Sequence, residues 1–158
     1  MFKKRFGTGL DKSSRLSSYI FDKKYEKNNR TTFRIFKYAK KAMDIRVVED
    51  GYGFRGKSRW ITDITNEFID PATWAKLGIE NTKIWQRIVI DTELQRENMV
   101  KDAINISEEM RIQLCKASIE AALYGASLDE PIYLEITISS IIRAAIMWKI
   151  GQNINLLN

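Results

Sequence analysis

The chain has 158 residues, 44% apolar and 29% charged, with a formal net charge of +6. This composition excludes a disordered chain and sets the size at one domain or two very small ones. One cysteine, Cys115, and no histidine exclude an internal disulfide and a Cys/His metal site.

No apolar run approaches the ~18 residues of a membrane span, so no membrane association is expected. The opening Met-Phe-Lys-Lys-Arg-Phe-Gly lacks the apolar core of a signal peptide. A single thiol suits a reducing compartment, and a cytoplasmic protein is expected.

Charge is unevenly placed. Residues 1–41 hold 13 of the 26 Lys and Arg against only Asp11, Asp22 and Glu26. Such an arm on a slightly acidic body suggests a polyanion partner. Its candidate contacts are Lys23, Lys24, Arg30, Arg34, Lys37, Lys40 and Lys41. Interleaved aromatics, among them Phe33, Phe36 and Tyr38, predict partial order. The ordered part reads either as a strand over Thr32–Lys37 or as a basic helix over Phe33–Met43.

A strand is predicted over Ile45–Asp50, followed by a glycine-rich turn and a helix. Gly51, Gly53 and Gly56 admit positive φ and close approach. Ser58 is the expected N-cap of a helix through Trp60, Ile61, Ile64 and Phe68. Arg55, Gly56, Lys57, Ser58 and Arg59 thus gather cations at a helix N-terminus, which favours a phosphate. Asp70-Pro71 ends the helix. One further turn is expected before Gly78, then a linker over 79–83.

A second strand is predicted over Ile84–Asp91, aligned with the first so that Arg46 matches Arg87 and Val48 matches Val89. From Thr92 a helical stripe is read through Leu94, Met99, Val100, Ala103 and Ile104. Another helix begins at Ser107-Glu-Glu, with Ile112, Cys115, Ile119 and Leu123 facing the core and Gly125 ending it. Cys115 is expected to be a small buried residue. Thr137 caps a last helix whose Ile141, Ile142, Ala145, Ile146 and Ile150 form a core stripe. Gly151 closes it, and 152–158 is a tail.

Two phosphate readings compete. Gly51-x-x-x-x-Gly56-Lys57-Ser58 matches the P-loop pattern, with Arg87-Ile-Val-Ile-Asp91 as the magnesium-bearing strand. Against it, too few strands remain for the parallel sheet such domains need. The other reading is a DNA backbone. No nucleophile–base pair is visible, and no enzyme and no cofactor are expected. A protein-interaction module with a basic arm is the remaining alternative.

Ser58-Arg-Trp-Ile-Thr-Asp-Ile and Thr137-Ile-Ser-Ser-Ile-Ile-Arg-Ala-Ala-Ile resemble the second helix of ribbon-helix-helix DNA-binding proteins. Two copies in one chain resemble the tandem regulators and relaxosome accessory proteins of conjugative plasmids and other mobile elements. The resemblance implies a mainly α protein with a short two-stranded antiparallel ribbon (α+β), in two repeats over 42–78 and 84–151. It implies double-stranded DNA as partner, with a homo-oligomer on DNA. Arg46, Val48, Arg87 and Val89 would read bases in the major groove. Arg55, Gly56, Lys57, Ser58, Arg59, Thr137 and Ser139 would clamp phosphates.

Overall fold

The computed structural model describes residues 30–79, 83–95 and 97–157, and for 152–157 the backbone alone. Lys23 and Lys24 lie outside the described residues. Among these residues are two strands and six helices in the order β1 (Arg30–Phe36), α1 (Lys37–Glu49), α2 (Lys57–Ile69), α3 (Pro71–Lys76), α4 (Ile84–Leu94), β2 (Met99–Asn105), α5 (Glu108–Ala126) and α6 (Ile138–Leu157). The protein is mainly helical with a two-stranded antiparallel sheet, the α+β class expected. No helix among the described residues is long and apolar enough to cross a membrane.

The strand alternative expected over Thr32–Lys37 is present as β1, one or two residues displaced, whereas the strands expected over Ile45–Asp50 and Ile84–Asp91 are not strands. Arg30-Thr-Thr-Phe-Arg-Ile alternates exposed and buried residues, its odd-numbered positions Thr31, Phe33 and Ile35 being buried. That two-residue period is a half-buried strand. Its partner β2 runs antiparallel, with Arg30 opposite Asn105, Thr32 opposite Ala103 and Phe36 opposite Met99. Asn98 enters β2 at φ 52°, a left-handed conformation that asparagine tolerates, and its carbonyl accepts the Lys37 N–H at 2.8 Å.

The two expected strands are helices. Residues 45–49 complete α1, whose Ala39, Met43 and Val47 are buried four positions apart. Residues 84–91 belong to α4, where Trp85 and Val89, and Gln86 and Ile90, repeat on the same spacing. Their β-branched residues favour strands locally, but burial along a helical face overrides that preference. Conversely, the expected helical stripe over Met99–Ile104 is β2.

Other expectations need smaller corrections. The arm boundary at 41 falls inside α1, so Arg30 to Lys41 belong to the fold. Gly151 does not stop α6, which runs to Leu157. On α5 the buried residues are Met110, Leu114, Ala117, Ala121 and Gly125. Ile112, Cys115, Ile119 and Leu123 are exposed instead, Cys115 included.

Several local readings hold. Asp70-Pro71 ends α2 at Ile69 as expected, and Asp70 in addition caps α3, accepting the Ala72 N–H at 2.9 Å, with Pro71 in the first turn. Ser107 caps α5 by accepting the Met110 N–H at 3.0 Å. At α6, the Thr137 N–H donates to Ser140 Oγ at 3.0 Å, and Thr137 Oγ1 accepts the Ser140 N–H at 3.4 Å.

The core gathers around α6. Ile141, Ile142, Ala144, Ala145 and Ile146 are fully buried, and Ser140 and Arg143 with them, so this helix is enclosed on nearly all sides. Phe68 sits among Trp74, Trp85 and Trp148, ring centroids 5.9, 6.1 and 5.7 Å away. Trp60 and Trp74 bury their rings and donate to Asp50 and to the Phe68 carbonyl, each at 2.8 Å. β1 and β2 each lead directly into two helices, α1–α2 and α5–α6, and α3 and α4 bridge the two halves.

Candidate nucleic-acid interface

One face of the ribbon packs on the core and the other is open. Directly opposed residues of an antiparallel pair share a face. The open face therefore carries Arg30, Thr32 and Arg34 from β1, opposite Asn105, Ala103 and Lys101 from β2. All are exposed except the half-buried Ala103. Three cationic side chains, a hydroxyl and an amide project from a strip two strands wide.

The edges of this ribbon are held in matching ways. On one edge the Asn105 N–H donates to Ser58 Oγ at 3.1 Å. On the other the Arg34 N–H donates to Ser139 Oγ at 3.0 Å. The spacing from Arg34 to Asn105 also relates Thr32 to Ala103 and Arg30 to Lys101, so a pseudo-two-fold axis passes between Thr32 and Ala103. Each serine lies in the first turn of its helix, α2 or α6, where backbone N–H groups lack intrahelical partners. The helix N-termini thus flank the ribbon on both sides.

The inner face is fixed by charge. Lys57 Nζ donates to Asp102 Oδ1 and Oδ2 at 2.7 and 2.9 Å, and Lys40 Nζ donates to Oδ2 at 3.1 Å. Burial opposes the charge on Asp102, but hydrogen bonds from Lys57, the Ala103 amide and Lys40 outweigh it and hold its carboxyl below the usual range. At the pseudo-equivalent place in the other half, Arg111 Nη2 donates to Thr31 Oγ1 at 2.8 Å.

A buried ion pair breaks this symmetry. Arg143 of α6 and Glu93 of α4 are bonded to each other with side chains only 2% and 4% exposed. Arg143 Nη1 also donates to the Arg34 carbonyl at 2.7 Å and to Ser139 Oγ at 3.3 Å. The helix between the halves is thereby tied to the ribbon backbone.

The expected base-reading residues are elsewhere. Arg46 lies on α1, bonded to Asp50 at 3.1 Å and to the Lys149 carbonyl at 2.9 Å. Val48 is exposed on the same helix. Arg87 pairs with Asp91 on α4, and Val89 is fully buried there. None of the four is on the ribbon, because their segments are helical.

The expected phosphate contacts fare differently. Gly56, Lys57, Ser58 and Arg59 open α2, and Thr137 and Ser139 open α6. Gly56, not Ser58, is the N-cap of α2. A Cβ at Gly56 would stand 2.2 Å from the Tyr52 carbonyl oxygen, so only glycine closes this loop without displacement. Arg55 is exposed in the loop, and Arg59 lies over the Tyr52 ring at 5.6 Å.

From the arm, Arg30 and Arg34 reach the open ribbon face, Lys37 and Lys41 are exposed on α1, and Lys40 is engaged by Asp102 and Asp44. Sequence reading missed Thr32, Lys101, Ala103 and Asn105 as face residues. On β1 the alternation of Phe33, Arg34 and Ile35 was the available signal, whereas Met99-Val-Lys-Asp-Ala-Ile-Asn105 does not alternate and offered none.

The glycine loop departs from a nucleotide-binding loop. A helix, α1, precedes it in place of a strand, and Lys57 and Ser58 are engaged with β2. Asp91 is on a helix, paired with Arg87. Among the described residues, no three His, Cys, Asp or Glu side chains are grouped so as to hold a metal ion. Comparison with protein-family models, with curated proteins and with solved structures found no match.

Proposed function

We propose that this chain binds double-stranded DNA by laying its ribbon in the major groove, as a regulator or accessory factor of DNA transfer. The observation that carries the proposal is the open ribbon face: Arg30, Thr32 and Arg34 in register with Asn105, Ala103 and Lys101. A two-stranded ribbon fits the major groove, where each base pair presents a distinct pattern. Arginine and lysine suit guanine, asparagine suits adenine, and Ala103 suits a thymine methyl. In that docking the first turns of α2 and α6, on either side of the ribbon, would offer their N–H groups to the flanking phosphates. Two strand–helix–helix halves about a pseudo-two-fold axis support the ribbon-helix-helix resemblance, with the alternative strand at 32–37 in place of Ile45–Asp50 and Met99–Asn105 in place of Ile84–Asp91.

The test is selection of preferred sequences from random duplexes, with salt-dependent mobility shifts. Arg34→Ala and Asn105→Ala occupy pseudo-equivalent places, so they should relax opposite halves of one site. Each should lose ~1–3 kcal/mol of specific binding, roughly fivefold to a hundredfold, with the nonspecific salt slope kept. Unchanged preference in both variants would take the ribbon out of the groove. Micromolar nucleotide binding lost in Lys57→Ala would favour the P-loop reading instead.

A further inference from the structure

The side of α5 turned away from the core is an apolar stripe. Ile112, Ile119 and Leu123 are 48%, 60% and 65% exposed, and Cys115 is exposed beside them. They recur at helical spacing on one face of a 19-residue helix whose opposite face, Met110, Leu114, Ala117 and Ala121, is in the core. Isolated exposed apolar residues are ordinary, whereas a stripe along one helix face offers a surface that a partner helix can cover.

Lys116 and Glu120 settle the chemistry of the cover. They lie one turn apart on the same flank of the stripe, and both are exposed. In an antiparallel helix pair related by a two-fold axis, each flank faces its own copy. With the axis beside Ser118, Lys116 meets Glu120 of the second copy, and the reverse pair forms at once. Ile112 then packs near Leu123 of the second copy, with Ile119 at the centre. Self-complementarity of this kind is what a two-fold interface demands. The antiparallel arrangement also opposes the two helix dipoles favourably.

We propose that α5 is a self-association surface, pairing antiparallel with α5 of a second copy of this chain. The pairing is weak. Four side chains on one helix cover on the order of a few hundred Å². A stable complex buries ~800 Å² per partner. Exposed ion pairs add little affinity, so Lys116 and Glu120 set register more than strength. The dissociation constant is expected between about micromolar and millimolar. The proposal is independent of DNA binding; if that reading holds, the pairing joins two ribbons for neighbouring sites.

The test is sedimentation equilibrium of the full chain without DNA, up to about 1 mM. The expected result is a monomer–dimer equilibrium that Ile119→Glu abolishes without changing the thermal midpoint. Lys116→Glu and Glu120→Lys should each weaken the dimer several-fold, and the two together should restore it. Helix rise and interaxial distance put the two Cys115 thiols on the order of 12 Å apart. A bismaleimide of that reach should therefore trap the dimer through Cys115, the only cysteine. A chain monomeric throughout, a dimer that survives Ile119→Glu, or mass growing beyond two copies would each overturn the proposal. So would a double charge swap that fails to restore association.

Discussion

Removing Glu93 should expose how much the fold depends on one buried charge. Arg143 is 2% exposed and draws on two anionic or carbonyl partners, Glu93 and the Arg34 carbonyl. Its Nε has no hydrogen-bond partner among the described residues. In Glu93→Ala the guanidinium stays buried with its countercharge gone. Breaking a buried pair in this way costs ~3–5 kcal/mol. Domains of this size are stable by only ~5–15 kcal/mol, so the loss is a large fraction. At a urea dependence of about 2 kcal/mol/M, the midpoint should fall by roughly 2 M. A second variant separates charge from space. Glu93→Leu with Arg143→Met removes both charges and leaves the Arg34 carbonyl without this donor, a cost of ~1–3 kcal/mol. The pair should therefore be less damaging than Glu93→Ala alone. Equilibrium urea unfolding measures both. A Glu93→Ala loss below about 1 kcal/mol, or a double variant weaker than the single, would refute the reasoning.

Lys57→Ala should lower DNA affinity and also cost about 1 kcal/mol of stability, because Lys57 is held by a largely buried Asp102; unfolding indistinguishable from wild type would show that this pair contributes nothing. The folded carboxyl of Asp102 lies below its ordinary 3.8. Its contribution is therefore complete above about pH 4 and is lost as pH falls through the lower folded value. Asp102→Asn should flatten the acid side of the stability profile, and an equal slope in both proteins would contradict this. Deleting residues 1–28 removes eight Lys or Arg against three acidic residues and leaves β1 whole. DNA affinity should drop alike for all sequences with a shallower salt dependence, which mobility shifts at several salt concentrations would test.

Local chemistry in the sequence determined a good deal of this protein. Asp70-Pro71 and Ser107-Glu-Glu start helices because side-chain oxygens and proline ring geometry act within a few residues. The Ile-rich run from Ile138 is helical because its apolar residues repeat with the helical period. The gathering of Gly56, Lys57 and Ser58 at a helix start was readable for the same reason. What the tertiary structure decided was which short β-branched segments are strands and which face of a helix is covered. Ile84–Asp91 has strand-like composition, yet α4 buries Trp85 and Val89 against α5 and α6, a choice made by partners distant in sequence. Arg30–Phe36 becomes a strand only because Met99–Asn105 arrives beside it in register. On α5, Met110, Leu114 and Ala117 compete with Ile112, Cys115 and Ile119 for the core. Both sets fit a helical period, so the positions of α4 and α6 determine which is buried and which stays exposed.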